Sequence, residues 1–399
     1  MTQRRAVIID VVRTPFGRGR EGGLLTPWHP VDLYASVLEA LVARTGIDPV
    51  LVEDVITGCV IQVAEQAANI GRQAVLAAGF PESVPAVTLD RKCGSSQQAV
   101  DFAAQGVIAG AYDLVIAGGV EMMSRVPMRA NRMGKDNLGP KLRARYGEGL
   151  VGQGVSADLI ASHWGIGREA QDAFALRSHQ LAAAAEDDGG TFRDILPLTL
   201  EDEDGEHRAT RDEGLRRDTS LEKLAGLSPA FEKPELAERF PDVDWTVTAG
   251  NASQISDGAS AVLVAEERTA EKLGLIPRAA VNGFAVMGDD PIMMLTGVIP
   301  ATRKLLKRTG VTLDDIDRFE VNEAFASVVL AWQKELAADP DKVNVYGGAI
   351  ALGHPVGASG ARLMGNLVRA LEDSGGRYGL QTMCESGGMA NATLIERLG

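Results

Sequence analysis

Two kinds of apolar run alternate along the chain. Ala6–Val11, Asp54–Val60 and Leu114–Ala117 are short and rich in Val and Ile, which predicts strands buried on both faces. Between them, Val31–Thr45, Ala67–Ala78 and Gln97–Ala109 read as helices. The later part of the chain repeats the habit, with strands at Ala279–Ala285 and Arg318–Val321. Helices follow at Ala301–Thr309, Phe325–Leu336 and Gly360–Leu371. Strands that alternate with helices predict an α/β layer architecture.

An internal echo points to two related halves. Cys93 opens a small-residue loop, a helix follows, and then comes the strand-like Asp113–Gly119. His354 opens a second such loop, again followed by a helix, the strand-like Tyr378–Cys384 and the pair Gly387-Gly388. Duplication explains the echo; two independent βα units would look similar. Between the halves, Glu121–Gly250 turns rich in Arg, Met, Asp and Glu, with acidic Glu201–Glu206 and the dense run Arg211–Asp218. Such charge runs predict a solvated surface, while helices at Glu169–Ala185 and Leu221–Leu224 predict a folded insertion. Thr246–Ser253 and Ala259–Ala265 return to core-like sequence. The expected division is an N-terminal half of residues 1–120 with 251–270, a lid of 121–250, and a C-terminal half of 271–399.

Bulk properties narrow the partners. A formal net charge of −14 over 399 residues argues against a general nucleic-acid or anionic-membrane binder. Phosphate-bearing small molecules remain open, because a few arginines and helix N-termini suffice for them. The apolar run after Arg4-Arg5 is too short for a signal peptide, and no segment is long enough to span a bilayer. Three cysteines, Cys59, Cys93 and Cys384, make no disulfide framework and fit a reducing cytoplasm.

The candidate chemistry centres on Gly347–Ala361, where five glycines, four alanines and a serine surround His354 and Pro355. Glycine admits close backbone approach, and the following proline holds His354 extended. The run suits an imidazole presented to a substrate, or a tight packing loop. Cys93, in Lys92-Cys-Gly-Ser95, lies between strand-like and helix-forming sequence. A helix N-terminus there, with Arg91 and Lys92 nearby, favours thiolate and could stabilise an oxyanion; the alternative is an inert buried thiol. Cys384 precedes a second tight loop, and Asn322 stands at a strand-to-helix transition. No CxxC or HxxxH spacing occurs, so no metal site is expected.

In that order, Cys93 with Gly94-Ser95, Asn322-Glu-Ala-Phe325, Gly353-His-Pro355 and Cys384 make the chain similar to the thiolases. Val11–Phe16, Gly118–Ser124, Gln171–His179 and Thr248–Ser253 extend the resemblance over essentially the full length. It implies a five-layered αβαβα core of two similar halves, with a loop domain over a coenzyme A site and a homodimer or homotetramer. It also implies ping-pong acyl transfer on 3-ketoacyl-CoA, with coenzyme A thioesters as substrates and no permanently bound cofactor. On the family pattern Cys93 is the nucleophile, His354 its activator, Cys384 the second acid–base and Asn322 the holder of a water. Backbone N–H groups of Cys93 and Ser386 form a second oxyanion site. Arg216 and Ser253 fall at coenzyme A positions, and Met294 and Phe325 line the acyl tunnel.

Departures from the pattern fall at the second oxyanion site, with Ser386, and around the acyl pocket. Ser386 replaces a usual glycine and would be strained if its φ were positive. Gln153, Gln254 and Leu295 also differ, and Phe231–Trp245 is longer than usual. Rival readings are a biosynthetic acetoacetyl-CoA thiolase, a ketoacyl synthase (which lacks a second active-site cysteine), and a noncatalytic acyl-CoA carrier.

Overall fold

The computed structural model describes residues 4–147, 149–189, 192–202 and 205–399. The first unit contains β1 (Ala6–Arg13), β2 (Gly17–Arg18), α1 (Pro30–Thr45), β3 (Asp54–Gly58), α2 (Ile70–Ala77), β4 (Ala86–Leu89), α3 (Ser95–Ala109) and β5 (Leu114–Met122). A middle segment follows with α4 (Pro140–Tyr146), α5 (Gln153–Trp164) and α6 (Arg168–Asp187). It continues through the hairpin β6 (Leu198–Asp202) and β7 (Gly205–Ala209), then α7 (Leu221–Ala225) and α8 (Pro234–Arg239). The chain returns to the first unit as β8 (Ser256–Glu266) and crosses over through α9 (Glu267–Lys272). The second unit is β9 (Ala279–Gly288), α10 (Val298–Thr309), β10 (Ile316–Val321), α11 (Ala326–Leu336), α12 (Ala349–Leu352), α13 (Ser359–Ser374), β11 (Tyr378–Glu385) and β12 (Met389–Arg397).

Strand order makes the duplication explicit. The main sheet runs β10-β11-β12-β9-β1-β8-β5-β3-β4. Outward from its middle, β1-β8-β5-β3 and β9-β12-β11-β10 share one pattern: two antiparallel pairings followed by a parallel one. The units join where β1 meets β9, at Val7↔Ala280 and Ile8↔Ala279. Helices α3 and α13 pack on each other and touch strands of both units. With α1 and α2 outside one half and α10 and α11 outside the other, the layers are αβαβα.

The apolar runs lack clean alternation because both sheet faces are covered. Along β1, Val7 and Ile9 pack with Leu33, Val37 and Leu38 of α1, whereas Ile8 and Val11 face the central cluster of Val100, Ala103 and Met364. The two central helices meet backbone to backbone. A Cβ added at Gly360 would lie 2.2 Å from the Gln97 nitrogen, and Ala361 N–H donates to Ser96 Oγ at 3.0 Å.

Several expectations change. Helix α2 starts at Ile70 rather than Ala67, because Ala68 and Asn69 have φ of 57° and 59° and Asn69 caps the Arg72 N–H. Strand β5 runs on to Met122, drawn out by pairing with β8 as far as Asp257. The charge run Arg211–Asp218 is not all solvated surface: Asp212 is buried and accepts from both terminal nitrogens of the fully buried Arg13, at 2.6 and 2.9 Å. Residues 203 and 204 of the acidic run lie outside the described residues, and hairpin β6–β7 flanks them.

Candidate active site

Cys93 follows parallel strand β4, Asn322 follows parallel strand β10, and Cys384 lies near the end of β11, so three of the candidates sit at the ends of parallel strands, the usual ligand position in α/β sheets. Cys93 follows β4 through a turn in which Lys92 takes φ 49°. Asp90 holds that left-handed residue by accepting from Lys92 N at 2.7 Å and Nζ at 2.6 Å. Ser95 closes the turn, accepting from Arg91 N at 2.9 Å and donating to Lys92 O at 2.6 Å. Gly94 is the N-cap of α3.

The environment of Cys93 corrects the expectation of a helix-stabilised thiolate. Burial pushes the thiol up to about 12, and the negative charge of Glu385 adds to the effect. A hydrogen bond from Gln153 and the charge of Lys92 oppose it without prevailing. Desolvation of the charged form wins over the helix terminus. Cys384, also buried, is pushed up by burial, then by the nearby Cys93 and Glu385.

His354 follows α12 and Gly353, whose φ is 99°. Its backbone N–H meets Gln254 O at 3.2 Å and Ser256 Oγ at 3.0 Å. Its Nδ1 lies 2.6 Å from Ser359 Oγ, and that hydroxyl donates to Pro355 O at 2.9 Å. Since the single hydroxyl proton goes to Pro355, Ser359 accepts from Nδ1–H. Nε2 then keeps its lone pair and faces Asn322 Nδ2 at 3.4 Å. Burial, followed by the charge of Arg362, lowers His354 to about 3, so its resting form is a neutral base.

Asn322 and His354 meet because Glu323 ties their loops together. Its buried carboxylate accepts from Ser178 Oγ at 2.7 Å, Asn344 Nδ2 at 3.0 Å and Ile350 N at 3.1 Å. Asn344 in turn pairs both ways with the Val321 backbone. Cys93 shares an apolar cluster with Val356, two residues after His354, and with Met383, next to Cys384. Phe325, Met294 and Leu295 share an apolar cluster with Cys384, and Phe231 meets Phe325 edge-on at 6.0 Å.

The remaining candidates surround this centre. Half-buried Ser253 is held by its N–H on Ala324 O at 2.9 Å. Arg216 is exposed, anchored by its backbone N–H on His179 Nδ1 at 3.2 Å. Ser386 is free of the strain considered for it: the positive-φ positions of that turn are Gly387 and Gly388, at 94° and 77°. The sequence did not mark Glu323, Ser359 or Glu385 as parts of the site, and marked Phe231 only as the start of a longer stretch near the acyl pocket. It flagged Gln254 only as unusual; the amide bridges Gly214 O at 2.9 Å and Ile350 O at 2.8 Å, linking the Arg216 loop to the His354 loop. Among the described residues, no group of three or more His, Cys, Asp or Glu is arranged to hold a metal ion, and no helix is long and apolar enough to cross a membrane.

Comparison with known proteins agrees with this architecture. The family described as thiolase, N-terminal domain, matches residues 6–268, and the thiolase C-terminal domain matches 275–397. The chain is 50% identical to a steroid 3-ketoacyl-CoA thiolase of Mycobacterium tuberculosis, covering 98% of this chain and 94% of that protein. It is 43% identical to a 3-ketoacyl-CoA thiolase of Aliivibrio fischeri, covering 99% and 100%. A solved Bacillus anthracis acetyl-CoA acetyltransferase superposes with a TM-score of 0.88 at 38% identity, covering 99% of each chain.

Proposed function

The chain belongs to the thiolase family of acyltransferases, and from that premise we propose that it cleaves 3-ketoacyl-CoA with coenzyme A, giving acetyl-CoA and a shortened acyl-CoA. His354 Nε2 takes the Cys93 thiol proton as the sulfur attacks the 3-keto carbonyl. The C2–C3 bond breaks, Cys384 protonates the departing acetyl-CoA carbanion, and a Cys93 thioester remains. His354 returns its proton to the Cys384 thiolate, then takes the coenzyme A thiol proton as that sulfur attacks the thioester, and hands it to the departing Cys93 thiolate. Asn322 Nδ2, beside Nε2, helps hold the water of one oxyanion site; the Cys93 and Ser386 N–H groups serve the other. Arg216 and Ser253 contact coenzyme A, and Met294 and Phe325 line the acyl path.

The observation that carries this reading is a neutral imidazole whose Nε2 sits 3.4 Å from Asn322 Nδ2, with Cys93 in one apolar cluster with Val356 of the His354 loop and Met383 beside Cys384. Relatives named as 3-ketoacyl-CoA thiolases favour the degradative direction over acetoacetyl-CoA synthesis. We further assign residues 1–120 with 251–270 and 271–399 as the two halves and 121–250 as the lid. The protein is proposed to act as a cytoplasmic homodimer or homotetramer without a resident cofactor. Intact mass after mixing with acetyl-CoA tests the core claim: wild type gains one acetyl group and Cys93→Ala none. No adduct and no thiolysis by wild type would overturn it. A panel of 3-ketoacyl-CoA substrates, from four carbons to ring-bearing chains, then ranks the acyl groups by kcat/KM.

A further inference from the structure

Glu385 is the last residue of β11, one position beyond Cys384, and it is completely buried. Strand alternation turns it away from the apolar cluster of Cys384, toward the start of α3. A Cβ added at Gly94 would lie 2.2 Å from Glu385 Oε1, 2.8 Å from Asn391 Nδ2 and 3.0 Å from Asn391 Oδ1. The carboxyl therefore fills the space that a side chain at residue 94 would need, against the backbone next to Cys93. Among the described residues, neither carboxyl oxygen has a hydrogen-bond partner, nor does Asn391 Oδ1, while Asn391 Nδ2 donates to Gly94 O at 3.0 Å.

Acceptor groups buried side by side repel unless one of them carries a proton. The charged neighbours do not replace that proton. Arg91 is the cation acting on Glu385, opposed by Asp101 and Asp90, and the Cys93 and Cys384 thiols adjoin it. Burial is the main influence and raises Glu385 to about 8.

We propose that Glu385 is a positioning residue for the thiol pair: it carries a proton during turnover, donates it to Asn391 Oδ1, and shuts the site down when it ionises. As a neutral acid it adds no negative charge beside sulfurs that must pass through thiolate. As a carboxylate it raises both thiols further and opposes the carbanion that forms next to Cys384. The inference rests on the roles given above to Cys93 and Cys384.

Glu385→Gln, of equal shape and unable to ionise, tests it in the full-length protein. Alkylation of Cys93 by iodoacetamide is followed by mass between pH 6 and 10. The variant reacts about tenfold faster than wild type near pH 9, the size of a one-unit thiol shift, and the two converge below pH 7. For thiolysis, kcat/KM of wild type falls on the alkaline side, Glu385→Gln lacks that fall, and the ionisable Glu385→Asp restores it. Glu385→Met, neutral and of similar length, repeats the measurement should the Gln variant fail to fold. Superimposable alkylation profiles overturn the proposal, as does slower alkylation of the neutral variants at every pH. Alkylation needs no turnover, so loss of the acetyl adduct with a split alkylation profile would reject the thiolase roles alone.

Discussion

Glu323 shows how one side chain turns separate loops into a catalytic pair. It binds α6, Asn344 and the backbone before His354 at once. Truncation leaves those donors unpaired in a buried site. Glu323→Ala should therefore lower kcat about 10- to 100-fold, a size typical of lost outer supports, with less change in KM. Glu323→Gln keeps part of the shape and should recover part of the rate, measured as acetyl transfer by the folded protein. Cys384→Ala should still accept acetyl from acetyl-CoA yet fail to form a carbon–carbon bond; normal condensation would remove Cys384 from its assigned role. Cys93, His354 and Asn322 were legible as residues because each sits in a distinctive loop, and Cys384 because it lies near the end of a strand just before a glycine-rich turn. Glu323 and Glu385 were not, because an isolated glutamate beside a reactive residue looks like any other.

At the level of elements, the two reactive loops work as a pair because α3 and α13 touch at their N-terminal ends. Gly360→Ala would place a methyl group 2.2 Å from the Gln97 nitrogen, so the helices must separate. Overpacking of this kind costs about 1–3 kcal/mol. The variant should melt several degrees lower and show slower Cys93 acetylation, because both loops move with their helices; an unchanged Tm would refute the close contact. The small-residue run around His354 thus serves packing and catalysis together. Strand β12 was missed because Asn391 and Thr393 face inward. Thr393 donates to Asp101 at 2.7 Å and accepts from Gln97 at 2.8 Å, so apolar alternation is broken where a polar seam is buried.

Across the whole molecule, buried carboxyls make stability depend on pH. Asp101 is fully buried and raised to about 7, chiefly by desolvation. A carboxyl raised on folding stabilises most below its unfolded pKa, about 3.9, and that contribution is lost as pH climbs to about 7. Wild type should lose Tm between pH 4 and 7 on this account, and Asp101→Asn should lose less; parallel Tm curves would contradict it. Strand β4 forms one edge of the main sheet, with Val87 44% exposed. An exposed apolar edge invites pairing, so Val87→Lys should shift the proposed oligomer toward monomer in sedimentation.

The alternation of strands and helices, the repeat of loop, helix and strand, and the identities of the two thiols, the imidazole and the amide could all be read along the chain. Those features are local: backbone propensity, burial on two faces and rare residue types leave a mark within a few positions. What spans the units came from the packing of distant segments. That packing buried Arg13 with Asp212, gathered three segments on Glu323, raised Cys93 rather than lowering it, and seated Glu385 against Gly94. Desolvation and hydrogen-bond partnership depend on which distant segments meet, and no run of neighbouring residues records that.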